Sequence, residues 1–404
     1  MAAQKNPPGP RPAPGPVRPA VLSARALNRA TLHRQLLLER SEMSPKEAVA
    51  HIVGLQAQNT RPPYFQLFSR LADFDPADLS ALMESREVVR IVTLRSTIHT
   101  HTADDALTVR PLVQPARDRE LRLFRQGLTG VDLDRLKEIS RALVEERPRT
   151  VKELRTALLA AWPDADPLAL TVAARCALPL AQTTPRGLWE RSGQVTLTTL
   201  EHWLGRSARA APAPDTPAPD TPAPDTLVLR YLAAFGPASV KDLQSWAGLT
   251  RMREVFDRLR PVLLTFRDEH GVELFDLPDA PRPGPDFPAP PRFLPEFDNV
   301  LLGHADRTRV IPAEFSGRNG KGNQAYGTVL VDGFLAAIWR LDRTDDTATA
   351  TVQPLGRLGR ADRDAVAEEA VRLLTVMTDA GAHDVRFADF VDFGDSGDSG
   401  DFGG

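Results

Sequence analysis

Apolar and polar positions divide the chain into helices, short strands and linkers. Leu32, Leu36, Leu37 and Leu38 mark a first helix over 27–38. Ser44-Pro45-Lys46-Glu47 reads as a capping box with proline at the first helical position, and Val49, Ile52, Val53 and Leu55 give that second helix its apolar stripe. Asp75-Pro76-Ala77-Asp78 opens a third helix over 76–87, with Leu79, Leu82 and Met83 facing a core. The β-branched stretch from Val88 to His99 predicts a pair of short strands. Helices followed by a strand pair is the order of a winged-helix unit, here with an insertion over 54–64. A further helix starts near Thr102-Ala103-Asp104-Asp105 and, with the charged segment from Arg117 to Arg147, bridges to the next unit.

The pattern then repeats. Thr150-Val151-Lys152-Glu153 starts a second unit by the same capping logic, and Leu178–Gln182 with Gln194–Leu197 form two strands around a turn at Pro185, Arg186 and Gly187. Pro-Ala-Pro-Asp-Thr occurs three times within 211–226, a semi-rigid spacer that interrupts the chain without adding chemistry. A third unit follows in its plainest form: helices Leu227–Phe235, Ser239–Trp246 and Thr250–Arg260, then strands Leu263–Phe266 and Val272–Phe275. Beyond it, Val300–Leu302, Val329–Val331, Phe334–Trp339 and Ala348–Val352 read as an antiparallel sheet with one helix from Arg363 to Asp379. The expected division is a disordered proline-rich tail (1–22), a first winged-helix unit with bridging helices (23–148), a second (149–208), the spacer (209–226), a third (227–280), a C-terminal β-rich domain (281–392) and a disordered tail (393–404).

Composition adds limits. With 404 residues, 42% hydrophobic and 25% charged, the chain can bury sizeable cores, and its net charge of -3 places any basic surface locally. A lone Cys176 excludes an intramolecular disulfide or a multi-cysteine zinc site. No apolar run approaches the roughly 20 residues needed to span a bilayer, and the segment Met1 to Ala20 lacks the apolar core of a secretory signal. A cytoplasmic protein is expected, and a nucleoid-associated one because three-helix-plus-wing units usually bind duplex nucleic acid.

Chemistry is concentrated at Gln56-Ala57-Gln58. If the chain leaves its helix extended there, the two amides project to one side while Ala57 faces inward. Each offers a carbonyl acceptor and NH₂ donors, able to orient a water molecule; the plainer alternative is capping or turn residues at a helix end. His99 and His101 alternate on a strand and suit sheet-face packing or phosphate contact better than metal. His304 with Asp306, Arg307 and Arg309 is either a hairpin tip facing DNA or a solvated loop, and Gly317 to Asn323 is a basic loop without the ending of a P-loop.

Gly54-Leu55-Gln56-Ala57-Gln58 with Pro62-Pro63-Tyr64, Leu94 to His99, Ala103-Asp104-Asp105, and the long run from Leu294 to Arg307 together resemble the AlkZ-like family of bacterial DNA glycosylases over about residues 25 to 390. The resemblance implies an α+β fold of tandem winged-helix units and a C-terminal antiparallel β-rich domain, closed into a C-shaped clamp on DNA. It implies excision of N-alkylated bases, in some members unhooking of interstrand crosslinks, with the Gln-x-Gln catalytic motif on Gln56 and Gln58. The expected partner is double-stranded DNA with alkylated bases, met by a monomer without metal or organic cofactor. Arg61, Arg95, His99, His304, Arg307, Arg309, Arg318 and Lys321 are the candidate DNA contacts. The alternative is a non-catalytic winged-helix DNA-binding or regulatory protein.

Overall fold

The computed structural model describes residues 19–206, 223–321, 324–344 and 346–390; most of the proline-rich tail and spacer, and the C-terminal tail, lie outside the described residues. Helices start where capping chemistry places them. Glu47 N donates to Ser44 Oγ at 3.3 Å while Ser44 N donates to Glu47 Oε2 at 2.8 Å, closing the capping box of helix Pro45–His51. Thr150 and Ser239 do the same for helices Val151–Ala161 and Val240–Ala247.

The hairpins expected of the first two units are joined. Strands Leu55–Gln56, Ile98–Thr102, Val88–Val92, Leu180–Gln182, Thr196–Thr199 and Arg149–Thr150 lie in that order in one six-stranded sheet. The joint is the pairing of Ile91 with Ala181 and Arg90 with Gln182. The third region follows its expected order: helices Ala223–Phe235, Val240–Ala247 and Arg253–Leu259, then the hairpin Leu264–Asp268 and Glu273–Asp276. Two boundaries shift. Residues 223–226, assigned to the spacer, already belong to the first of these helices, and Val21–Leu22, assigned to the tail, pairs in parallel with Arg267 and Asp268 at the hairpin's edge.

The C-terminal sheet orders Arg292–Leu294, Gly327–Val331, Phe334–Thr344, Thr347–Pro354 and Ala382–Phe387, covered by helix Arg360–Met377. It is antiparallel except for its last pair, which is parallel because the chain crosses over through that helix. Val300–Leu302, expected as a strand, is instead a short helix, Asn299–Leu302, whose start is fixed by Asp298 Oδ1 accepting from Val300 N. A short apolar run does not distinguish strand from buried helix, and the capping aspartate decides it here.

The first helices and the C-terminal sheet share one core. Leu55, Phe65 and Phe68 pack with Phe293, Trp339 and Leu373, and the Phe65 and Phe293 rings sit 5.7 and 5.4 Å from that of Trp339. Arg70, on helix Pro62–Arg70, makes two hydrogen bonds to the Asp298 carboxylate at 2.7 and 2.8 Å, both side chains being fully buried. This pair locks the chain just after the Gln triplet to the run 294–307. Arg70→Met leaves Asp298 charged and unpaired in the core, an expected loss of about 3–5 kcal/mol in chemical denaturation. A change below about 1 kcal/mol, the worth of a surface pair, would contradict this reading.

Candidate active site

Between helix Pro45–His51 and strand Leu55–Gln56 the chain turns through Val53 and Gly54, at φ 59° and 90°. The strand pairs Leu55 with Thr100 and Gln56 with His99, and Ala57 N donates to Ile98 O at 2.8 Å. Directly paired side chains share a sheet face, so Gly54, Gln56, His99 and His101 line one face. Leu55 and Ala57 are fully buried, Gln56 is 5% exposed, and Gln58 is exposed.

Three side chains from other elements hold the backbone of this turn. Asn299 donates Nδ2 to Gly54 O at 2.6 Å and accepts at Oδ1 from Gln56 N at 3.3 Å. Gln66 Nε2 donates to Gln56 O, and Arg90 Nη2 to Ala57 O, each at 2.9 Å. Arg90 is enclosed, and burial pushes its guanidinium down to about 10, with Arg186 acting in the same direction. None of these three clamps stands out in the sequence: Asn299 and Arg90 act across 245 and 33 residues, and Gln66, ten residues on, sits inside a helix with no local pattern to mark it. Asn299 lies within the motif run 294–307, but nothing local marks its role.

The two glutamine side chains differ in setting. Gln56 Oε1 accepts from Arg95 Nη2 at 2.5 Å, while Gln58 Oε1 accepts a long bond from Ile98 N at 3.4 Å and faces solvent. Beside them Asn59 donates to Glu296 Oε1 at 3.0 Å, and burial raises the Glu296 carboxyl. Among the described residues no group of three or more His, Cys, Asp or Glu could hold a metal ion.

The candidate DNA contacts separate into groups. Arg307 is exposed, and its charge acts on Arg95. Arg61 lies over the Trp189 ring at 5.1 Å, and the Arg318 guanidinium donates to Leu355 O at 3.1 Å and covers the Phe390 ring at 4.4 Å. The Lys321 side chain lies outside the described residues. Arg95, half-buried, donates to Gln56 and to Trp246 O. Three assignments are corrected. His99 packs on the sheet face, its ring stacked 5.6 Å from that of His101, and burial followed by the Arg95 charge pushes its pKa well down, so it carries no cation at neutral pH. His304 is buried with Nε2 on Phe235 O at 3.0 Å, and Arg309 is buried with Nη1 on Pro237 O at 3.0 Å. In the third region's last helix, Arg253 and Arg260 pair with Glu273 and Arg258 with Asp225.

The buried histidines set a pH dependence. Burial pushes His101 down to about 4; burial with the Arg309 charge pushes His304 down to about 3. Unfolded histidine titrates near 6.5, so the unfolded chain binds the extra protons first. The stability these groups contribute is complete above about pH 6.5 and is lost as the pH falls toward 4 and then 3. In His101→Asn the denaturation midpoint falls less steeply over this window than in wild type; an equal slope would refute the assignment.

With the geometry in place, the sequence matches the DNA glycosylase AlkZ-like family over residues 49–376. The chain belongs to the AlkZ-like DNA glycosylase family. The match takes in the Gln triplet, Arg90, Arg95 and Asn299 together. Streptomyces sahachiroi DNA glycosylase AlkZ shares the fold, with a TM-score of 0.72 and 21% identity over 91% of this chain and 100% of that one. No curated protein matches the sequence. As a family member the chain is placed among DNA-binding hydrolases of DNA repair, and no helix among its described residues is long and apolar enough to cross a membrane.

Proposed function

We propose that the chain is a monofunctional DNA glycosylase that hydrolyses the N-glycosidic bond of N-alkylated purines in duplex DNA, with Gln56 and Gln58 positioning the attacking water. The observation that carries this is the setting of the triplet: a backbone clamped by Asn299, Gln66 and Arg90, one amide held and the other open to solvent. Adjacent neutral amides suit this substrate. A purine alkylated at N7 is already cationic, so its glycosidic bond breaks through an oxocarbenium-like transition state without a strong general acid. Water adds to C1′, the C1′–N bond breaks with its electron pair passing to the base, and the proton leaves to solvent. The two amides orient the water through their carbonyl and NH₂ groups, and a carbonyl dipole faces the cationic sugar. The triplet contains no amine to form a covalent imine, which supports monofunctional hydrolysis. An interstrand crosslink through N7 presents the same cationic leaving group, so the same cut on one strand would unhook it.

In this reading the three helices and hairpin after Ala223 form a winged-helix unit, and the helices with the shared six-stranded sheet form two more, together closing a C-shaped clamp that acts as a monomer. The arginines of the third region's last helix are already ion-paired, which argues against base reading by that helix. The test is incubation with methylated duplex DNA and quantification of free 7-methylguanine. Release leaving alkali-labile abasic sites supports the proposal. Sequence-specific protection of DNA with no base released from any alkylated duplex overturns it in favour of a non-catalytic binder.

A further inference from the structure

The Arg95 guanidinium is placed more elaborately than packing requires. Arg95 and Ser96 both have positive φ, at 53° and 58°, a conformation costing about 1–3 kcal/mol per residue outside glycine. The turn is held against Gly248, itself at φ 70°, where an added Cβ would lie 3.0 Å from Arg95 Cα. From this seat one arm of Arg95 donates to Trp246 O, near the C-terminal end of helix Val240–Ala247, where the helix dipole favours a cation. The other arm donates to Gln56.

Guanidinium groups carry donors and no acceptor, so the Gln56 atom facing Arg95 must be the carbonyl oxygen, and the NH₂ must point the other way. The pair therefore breaks the symmetry of the two glutamines. We propose that Arg95 is a positioning residue that fixes Gln56 as a hydrogen-bond donor and leaves Gln58 as the acceptor that holds the attacking water. This inference rests on the glycosylase reading above. Desolvation pushes the half-buried Arg95 down to about 10, and the charge acting on it, that of Arg307, has the same sign. An unneutralised cation on the amide oxygen polarises the group and strengthens its N–H donors. Gln58, whose oxygen receives among the described residues only the long bond from Ile98 N, keeps a lone pair for water. Arg95 thereby ties the third region to the reacting strand through one side chain.

The test uses the full chain and two readouts: single-turnover release of 7-methylguanine from methylated duplex, and affinity for the same duplex across a salt series. Arg95→Met is expected to slow release by about 10- to 100-fold, the cost of a misplaced group near the chemistry, with affinity and salt slope unchanged. Arg95→Lys, which keeps the charge but cannot span both oxygens, recovers part of the rate. In a Gln56→Ala background Arg95→Met adds no further loss, because it acts through that amide. Additive losses, or full rate at saturating DNA with the salt slope reduced by about one, would overturn the inference and return Arg95 to phosphate binding. Should Arg95→Met not fold, Gln56→Glu and Gln58→Glu decide it. The first pairs its carboxylate with Arg95 and lacks the donor, so it loses about 100-fold or more; the second keeps an acceptor and loses no more than about tenfold. The reverse order overturns the inference. Release of no 7-methylguanine by wild type instead overturns the glycosylase reading beneath it.

Discussion

Gln58→Ala is expected to lower single-turnover release of 7-methylguanine by about 10²–10³-fold, the loss typical of removing one preorganised polar group from a transition state, with Gln56→Ala in the same range. Their side effects should differ. Gln58 is exposed and makes one long hydrogen bond, so its truncation leaves the denaturation midpoint nearly unchanged. Gln56 is buried, and its removal strands an Arg95 donor, so Gln56→Ala also costs about 1–3 kcal/mol of stability. Affinity for undamaged duplex should stay near wild type in both, since neither amide supplies charge to the backbone contact that dominates DNA binding. Loss of affinity matching the loss of rate would instead make the triplet a binding element.

Gly54→Ala is expected to be the most damaging single-methyl addition near the site. Gly54 adopts φ 90°, and a Cβ there would sit 2.3 Å from His101 Nδ1 and 2.5 Å from His101 Cε1. Neither partner can yield easily. His101 is buried with Nε2 on Thr93 Oγ1 at 2.9 Å, and Gly54 O is gripped by Asn299. Backbone strain of about 1–3 kcal/mol and overpacking of similar size together predict a loss of about 2–6 kcal/mol in chemical denaturation. Because the displaced segment carries Gln56, excision falls as well, even at temperatures where the variant is folded. A double variant with His101→Ala relieves the clash but not the φ strain, and so recovers part of the stability.

Local rules carried the sequence reading where they apply. The capping boxes at Ser44, Thr150 and Ser239, the strand pair from Val88 and the helix–helix–helix–hairpin order after the spacer all depend on residues a few positions apart. Non-local partners were illegible. No pattern in the chain marks that the Val88–Val92 strand pairs with Leu180–Gln182, fusing two hairpins into one sheet. His304 and Arg309 look like a basic loop tip because their partners, Phe235 O and Pro237 O, lie about seventy residues earlier. The Gln triplet stood out because amides spaced by alanine serve packing poorly. Its asymmetry did not, because it depends on Arg95 thirty-nine residues away and on a backbone conformation that arginine and serine rarely adopt.

Glycosylase chemistry at the Gln triplet is decided by one comparison: free 7-methylguanine released from methylated duplex by the wild-type chain and by the Gln56→Ala/Gln58→Ala double variant, under single-turnover conditions with both proteins shown to be folded. Release by wild type that falls to the uncatalysed background in the double variant is the predicted result. Equal release by both proteins, or none by wild type, would contradict it.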